Sequence, residues 1–137
     1  MASPVTQFPI DPAAEARRMA ALFDDFSAAV DKMILNAPDG TPQDQLTALK
    51  TQSEAFETIS NKFTAEAIGA TLQAVQADLA NIKTVTAQAK DQLGALNDVA
   101  KAISIGTAAL NLGTAILAGD PIAILGAVQS IAQGVST

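Results

Sequence analysis

The side chains of this chain that can move a proton or hold an ion are carboxylates, amines and hydroxyls, because His and Cys are both absent. Without an imidazole or a thiol, the usual proton shuttles, nucleophile–base pairs and zinc sites have nothing to build on. Of the carboxylates, Asp24 and Asp25 are adjacent and on a helix would point about 100° apart. Glu54 and Glu57 would share a helix face, but no partner residue accompanies them, so all four read as solvated surface acids. Asp39-Gly40 looks like a fragment of a calcium loop, yet the alternating acidic ligands of such a loop are missing and a plain turn is the reading. Gly106 and Gly113 sit inside a helical pattern rather than in a phosphate loop after a strand. The expectation is a non-enzyme with no catalytic residue, metal or cofactor.

One further constellation is polar without being charged. Ser104, Thr107, Asn111 and Thr114 fall within about 80° of one another on a helix. Such a stripe solvates water or ions and is the expected lining of an aqueous lumen, if the chain forms one.

The element carrying that stripe has an unusual charge pattern. Residues 102–119 contain no charged side chain and neither do residues 121–137, which leaves Asp120 as the single ionisable side chain in the last 36 positions. Gly119-Asp120-Pro121 reads as a compact helix stop and restart, with Gly in the left-handed position, Asp as cap and Pro in the first turn. Residues 102–137 are therefore expected to form an apolar antiparallel helical hairpin. In its first arm Ile103, Gly106, Leu110, Gly113 and Leu117 make one seam, in which Gly alternates with large residues and lets a neighbouring helix approach. Ile105, Ala109, Leu112 and Ile116 make a second. In the second arm Ile124, Leu125, Val128, Ile131 and Val135 oppose Gln129, Gln133 and Ser136, and Gly126, Ser130 and Gly134 form a small-xxx-small ladder. The eighteen residues 102–119 span about 27 Å as a helix, close to the thickness of bilayer hydrocarbon. The flanks lack Trp, Tyr and clustered Arg or Lys, and a buried hairpin of a soluble protein has the same composition.

The rest of the chain reads as amphipathic helix, in one all-α domain over residues 1–137. Residues 1–10 carry two Pro and no helical period, the mark of an extended arm. Asp11-Pro12 starts a helix, and Met19, Leu22, Phe23, Phe26, Val30, Met33 and Ile34 give it one apolar face through residue 36. Residues 37–42, APDGTP, stop it, and Thr41-Pro42 repeats the cap-plus-proline start. From there to Pro121 the chain contains no proline. Residues 41–101 read either as one long helix or as a helix broken near Ser60 to Gly69 and folded back. The register 75, 79, 82, 86, 89, 93, 96, 100, 103 gives a coiled-coil-like seam of about four heptads. The architecture expected is an elongated antiparallel helical bundle or coiled coil ending in the apolar hairpin.

A long amphipathic helical segment followed by an uncharged, Gly- and Ala-rich hairpin resembles the plan of α-helical pore-forming toxins, such as the cytolysin A and hemolysin BL group and the colicin pore domains. The resemblance covers residues 100–137 by pattern and the remainder by class, and no diagnostic motif accompanies it. It implies a soluble bundle that shelters an apolar hairpin until it meets a membrane. Those chains are longer, which implies a component or a small oligomer-forming unit here. A weaker similarity is to phasins, Ala- and Gln-rich helical coats of storage granules, which lack so segregated a hairpin.

Charge narrows the partners. The net charge of −6, with bases spread singly apart from Arg17-Arg18, argues against nucleic acid and against a polybasic lipid anchor. The partners expected are further copies of the chain, another helical protein, or a lipid membrane met through apolar burial. No signal-like segment opens the sequence, so cytoplasmic synthesis is expected, with release or membrane association on activation. A structural scaffold or adaptor, with the hairpin as core or oligomer interface, is the alternative to membrane activity.

Overall fold

The computed structural model describes residues 11–95 and 98–136, the side chain of Ser136 excepted. The expected arm over residues 1–10 lies outside the described residues. The described chain is all-α, with six helices: α1 (Pro12–Leu35), α2 (Gln43–Lys62), α3 (Ala65–Ala74), α4 (Leu79–Ala95), α5 (Val99–Ala118) and α6 (Pro121–Ser136). A 3-10 turn, Gln76–Asp78, joins α3 to α4.

Local chemistry sets the helix ends. Asp11 Oδ1 accepts from the amides of Ala13 and Ala14 at 3.1 and 3.3 Å, with Pro12 as the first helical residue. This satisfies amides that have no partner inside the helix. The second start differs from the sequence expectation, because Thr41 does not cap α2. Its hydroxyl donates to the carbonyl of Pro38 and closes the turn around Gly40, whose φ is +87°, and α2 begins without a side-chain cap.

One helix over residues 43–118 is not formed. Helix α2 stops at Lys62, and Thr64 caps α3 by accepting from Ala67 N at 3.1 Å. Helix α4 ends at Ala95 and α5 restarts under an Asp98 cap that accepts from Lys101 N at 3.2 Å. The seam read through 75 to 103 is thereby cut. Val75, Leu79, Ile82, Thr86, Ala89 and Leu93 are buried, residue 96 is outside the described residues, Ala100 is exposed and Ile103 is half-buried on a different helix. Caps and burial outweigh an unbroken helical pattern here, since a rod would leave the apolar faces of both halves in water.

The core runs from α1 to α6 as one continuous apolar cluster. Its densest part is aromatic. Phe23 meets Phe63 edge-on at 5.0 Å, Phe26 stacks on Phe56 at 4.9 Å, and Phe23 lies 5.6 and 6.0 Å from Phe26 and Phe56. Several polar groups inside are paired: Ser53 donates to Asp31 Oδ1 at 2.6 Å beside Ser27, and Thr86 donates to the Ile82 carbonyl at 2.6 Å. Glu15, buried on α1, pairs with Arg18 and reaches Lys83 of α4 at 2.9 Å. A shallow hollow between α1 and α4 is lined by Ala28, Ala29, Lys32, Lys90, Asp91, Gly94 and Ala95.

Candidate functional site

Helices α5 and α6 fold back on each other through the Gly119-Asp120-Pro121 turn. Gly119 is left-handed at φ +72°, its amide donates to Ile116 O at 3.1 Å, and the Asp120 amide donates to Ala115 O at 3.3 Å. These are the two bonds of a Schellman closure. Asp120 Oδ1 then accepts from Ile122 N and Ala123 N at 3.1 and 3.2 Å, and Pro121 opens α6. The one charged side chain of the last 36 positions is thus held at a helix start, where a carboxylate is favoured.

The inner face of α5 is core. Ile105, Ala109, Leu112 and Ile116 are buried, Gly106 and Gly113 are buried between them, and Ile103, Leu110 and Leu117 are half-buried at the margin. Both glycines mark close approaches. A Cβ on Gly113 would lie 2.7 Å from the Phe23 ring and 3.0 Å from Ile59, and one on Gly106 would lie 2.3 Å from Gln52 Oε1. Gln52 itself comes from α2 and is buried, with Nε2 donating to the Ile103 carbonyl at 3.0 Å and to Thr107 Oγ1 at 3.1 Å. Sequence pattern gives no sign of it, because Gln52 lies among polar residues of α2 and its burial follows from a contact with a distant helix.

The outer face is the candidate working surface. Ser104, Thr107, Asn111 and Thr114 are all exposed in one row along α5. On α6, Ile124, Val128 and Ile131 are buried, while Leu125 is 43% exposed and Ile122 is 83% exposed. Leu125 stands apart from the buried Ile124, Val128 and Ile131 of the same apolar side. The small-xxx-small ladder is largely outside the contact between the two arms. A Cβ on Gly126 would meet nothing within 4 Å and Ser130 is exposed, whereas Gly134 alone of the three faces α5, its Cβ position lying 3.9 Å from Ile105. The remaining sequence candidates for chemistry, Asp24, Asp25, Glu54, Glu57 and Asp39, are exposed.

By length and composition one described helix, Val99–Ala118, is long and apolar enough to cross a membrane, with a mean hydropathy of 1.3 and half of its apolar window buried. The shorter apolar helix Pro121–Val135 follows it. Compared with known protein families, curated proteins and solved structures, the chain matches none.

Proposed function

We propose that the chain is a non-enzymatic helical bundle that self-assembles through the outer face of its C-terminal hairpin. The observation that carries this reading is an exposed surface poor in charge: Ser104, Thr107, Asn111, Thr114, Ile122 and Leu125 face outward, with Asp120 at the turn and the half-buried Lys101 in the first turn of α5 as the charged side chains near them. A solvated surface is ordinarily about a quarter to a third charged, as the outer faces of α1 and α2 are with Arg17, Arg18, Asp24, Asp25, Glu54 and Glu57. A face that keeps hydroxyls, amides and two large aliphatic side chains, with charge only at its ends, suits burial against a surface of its own kind. In this reading the inner strip of α5 is core and the outer strip is interface. Sedimentation velocity at micromolar concentration tests it. A dimer or larger species is expected, and Ile122→Glu with Leu125→Lys should shift it toward monomer without loss of helical signal. A strict monomer that binds no apolar dye overturns the proposal.

Membrane activity is the second reading, and the length and hydropathy of Val99–Ala118 favour it. Twenty residues of helix span about 30 Å, enough for bilayer hydrocarbon. Here the assembled hairpins enter lipid with the Ser104–Thr107–Asn111–Thr114 stripe turned to a shared lumen. Purified protein should then release dye from liposomes, and Asn111→Leu with Thr114→Leu should reduce the release while leaving circular dichroism unchanged. Intact liposomes exclude this reading and leave the scaffold or adaptor, working by self-assembly alone.

A further inference from the structure

Helix α5 packs on α6 more extensively than on any other helix, and the same is true of α6 on α5. What joins the pair to the first four helices is apolar contact and two glutamines. Among the described residues, the side-chain hydrogen bonds that tie α5 or α6 to the earlier helices come from Gln52 and Gln92, and no ion pair crosses.

The two glutamines are alike in an unusual respect. Each donates its Nε2 to a hairpin backbone carbonyl: Gln52 to Ile103 at 3.0 Å, and Gln92 of α4 to Val135 at 3.2 Å. In both, Oε1 is buried without a hydrogen-bond partner. Rotating the Gln52 amide would set Oε1 against the Ile103 carbonyl, two acceptors face to face, so its orientation is fixed by chemistry. A buried acceptor left unpaired costs at least as much as an ordinary hydrogen bond returns. Gly106 completes the arrangement, because a Cβ there would clash with Oε1 at 2.3 Å.

We infer that Gln52, seated on Gly106, is a positioning residue that fixes the register of the hairpin on α2 while keeping its docking weak, so that α5 and α6 open together before α1 and α2 unfold. The inference deepens, and rests on, the reading of the hairpin as the working element. Removing Gln52 strands nothing. The Ile103 carbonyl still accepts from Thr107 Oγ1 at 2.9 Å, and Thr107 is exposed. Gln52→Met therefore deletes the unpaired acceptor and fills the same volume with an apolar chain.

Native-state hydrogen exchange on the full chain tests this. In the wild type, amides of α5 and α6 should exchange in one opening event, at lower protection than those of α1. Gln52→Met should raise protection about tenfold in both α5 and α6 and leave α1 unchanged. The rise in α6 is the decisive readout, since residue 52 forms its hydrogen bonds with α5 and a merely local repair would stop there. Gly106→Ala should act in the opposite direction by expelling the amide. If that variant fails to fold, Gln52→Met decides the matter. The inference is overturned if Gln52→Met lowers hairpin protection, if the rise is confined to α5, or if wild-type hairpin amides are as protected as those of α1. Sedimentation and liposome release on the same proteins separate the two levels. Joint opening in a monomer that leaves liposomes intact defeats the assembly and membrane readings and keeps this one, and assembly with a fully protected hairpin does the reverse.

Discussion

Helices α1 and α5 bury their inner faces equally well and do so with different side chains. The inner face of α1 is bulky, with Met19, Phe23, Phe26 and Val30 all at 0% exposure, and its outer face carries Arg17, Arg18, Asp24, Asp25 and Lys32. The inner face of α5 sets Ile105, Leu112 and Ile116 beside Gly106, Ala109 and Gly113, so that it is thin where the glycines lie, and its outer face carries Ser104, Thr107, Asn111 and Thr114. Large rings on one helix need an absence of side chain on the other, which is why Gly113 lies under Phe23. The outer faces obey no such complementarity within the chain. Charge on α1 keeps it in water, and the lack of charge on α5 beyond Lys101 leaves that face without a reason to stay there.

The contrast can be broken most severely at the aromatic side. Phe23→Ala removes a ring that meets three others, and urea unfolding followed by circular dichroism should show a loss of about 3–5 kcal/mol. A loss under 1 kcal/mol would mean that the rings do not form the rigid half of the core. Gly113→Ala approaches the same contact from the thin side. The added methyl has 2.7 Å to the Phe23 ring, and the overpacking should cost about 1–3 kcal/mol despite the better helix propensity of Ala.

A glycine on the outer face should respond with the opposite sign. Gly126→Ala meets nothing within 4 Å, so the helix gains and the melting temperature should rise with a stabilisation of about 0.5–1 kcal/mol. A fall would reveal a close neighbour at that face. Smallest of all, Asn111→Leu alters an exposed position and should leave unfolding free energy within about 0.5 kcal/mol of wild type. Any larger loss would place Asn111 inside a folded contact and not on a free surface.

Helix starts were legible in the sequence wherever the cap and the proline stand side by side. Asp11-Pro12 and Asp120-Pro121 each place a carboxylate directly before a ring that needs no amide partner, and in both the carboxylate accepts two backbone amides. Thr41-Pro42 is a similar pair with a different outcome, because the Thr41 amide and hydroxyl both turn back to the Pro38 carbonyl and the side chain closes that turn instead of capping α2. The breaks at Lys62 and Ala95 carry no proline or tight-turn dipeptide. The first lies in the Ser60 to Gly69 stretch where the sequence offers a break; whether that offer is taken, and where the second falls, is set by which apolar faces find each other across the chain, a tertiary decision that a window of sequence does not contain. The candidate surface was half legible for the same reason. Period alone puts Ser104, Thr107, Asn111 and Thr114 in one row, but which row faces outward depends on Phe23, Ile59 and Gln52, all more than forty residues away.

The hollow between α1 and α4 offers a covalent handle. A Cβ built on Gly94 stands 3.9 Å from that of Ala29, close to the mean Cβ separation of about 3.8 Å in disulfides. With no native cysteine to compete, Ala29→Cys and Gly94→Cys can pair in one way only, closing a ring of roughly 65 residues. That ring encloses α2 and α3 and stops short of α5. The oxidised chain is topologically a loop with two tails, residues 1–28 on one side and the apolar hairpin on the other, so a reductant becomes a switch that changes the entropy of the loop and leaves the hairpin's covalent freedom as it was.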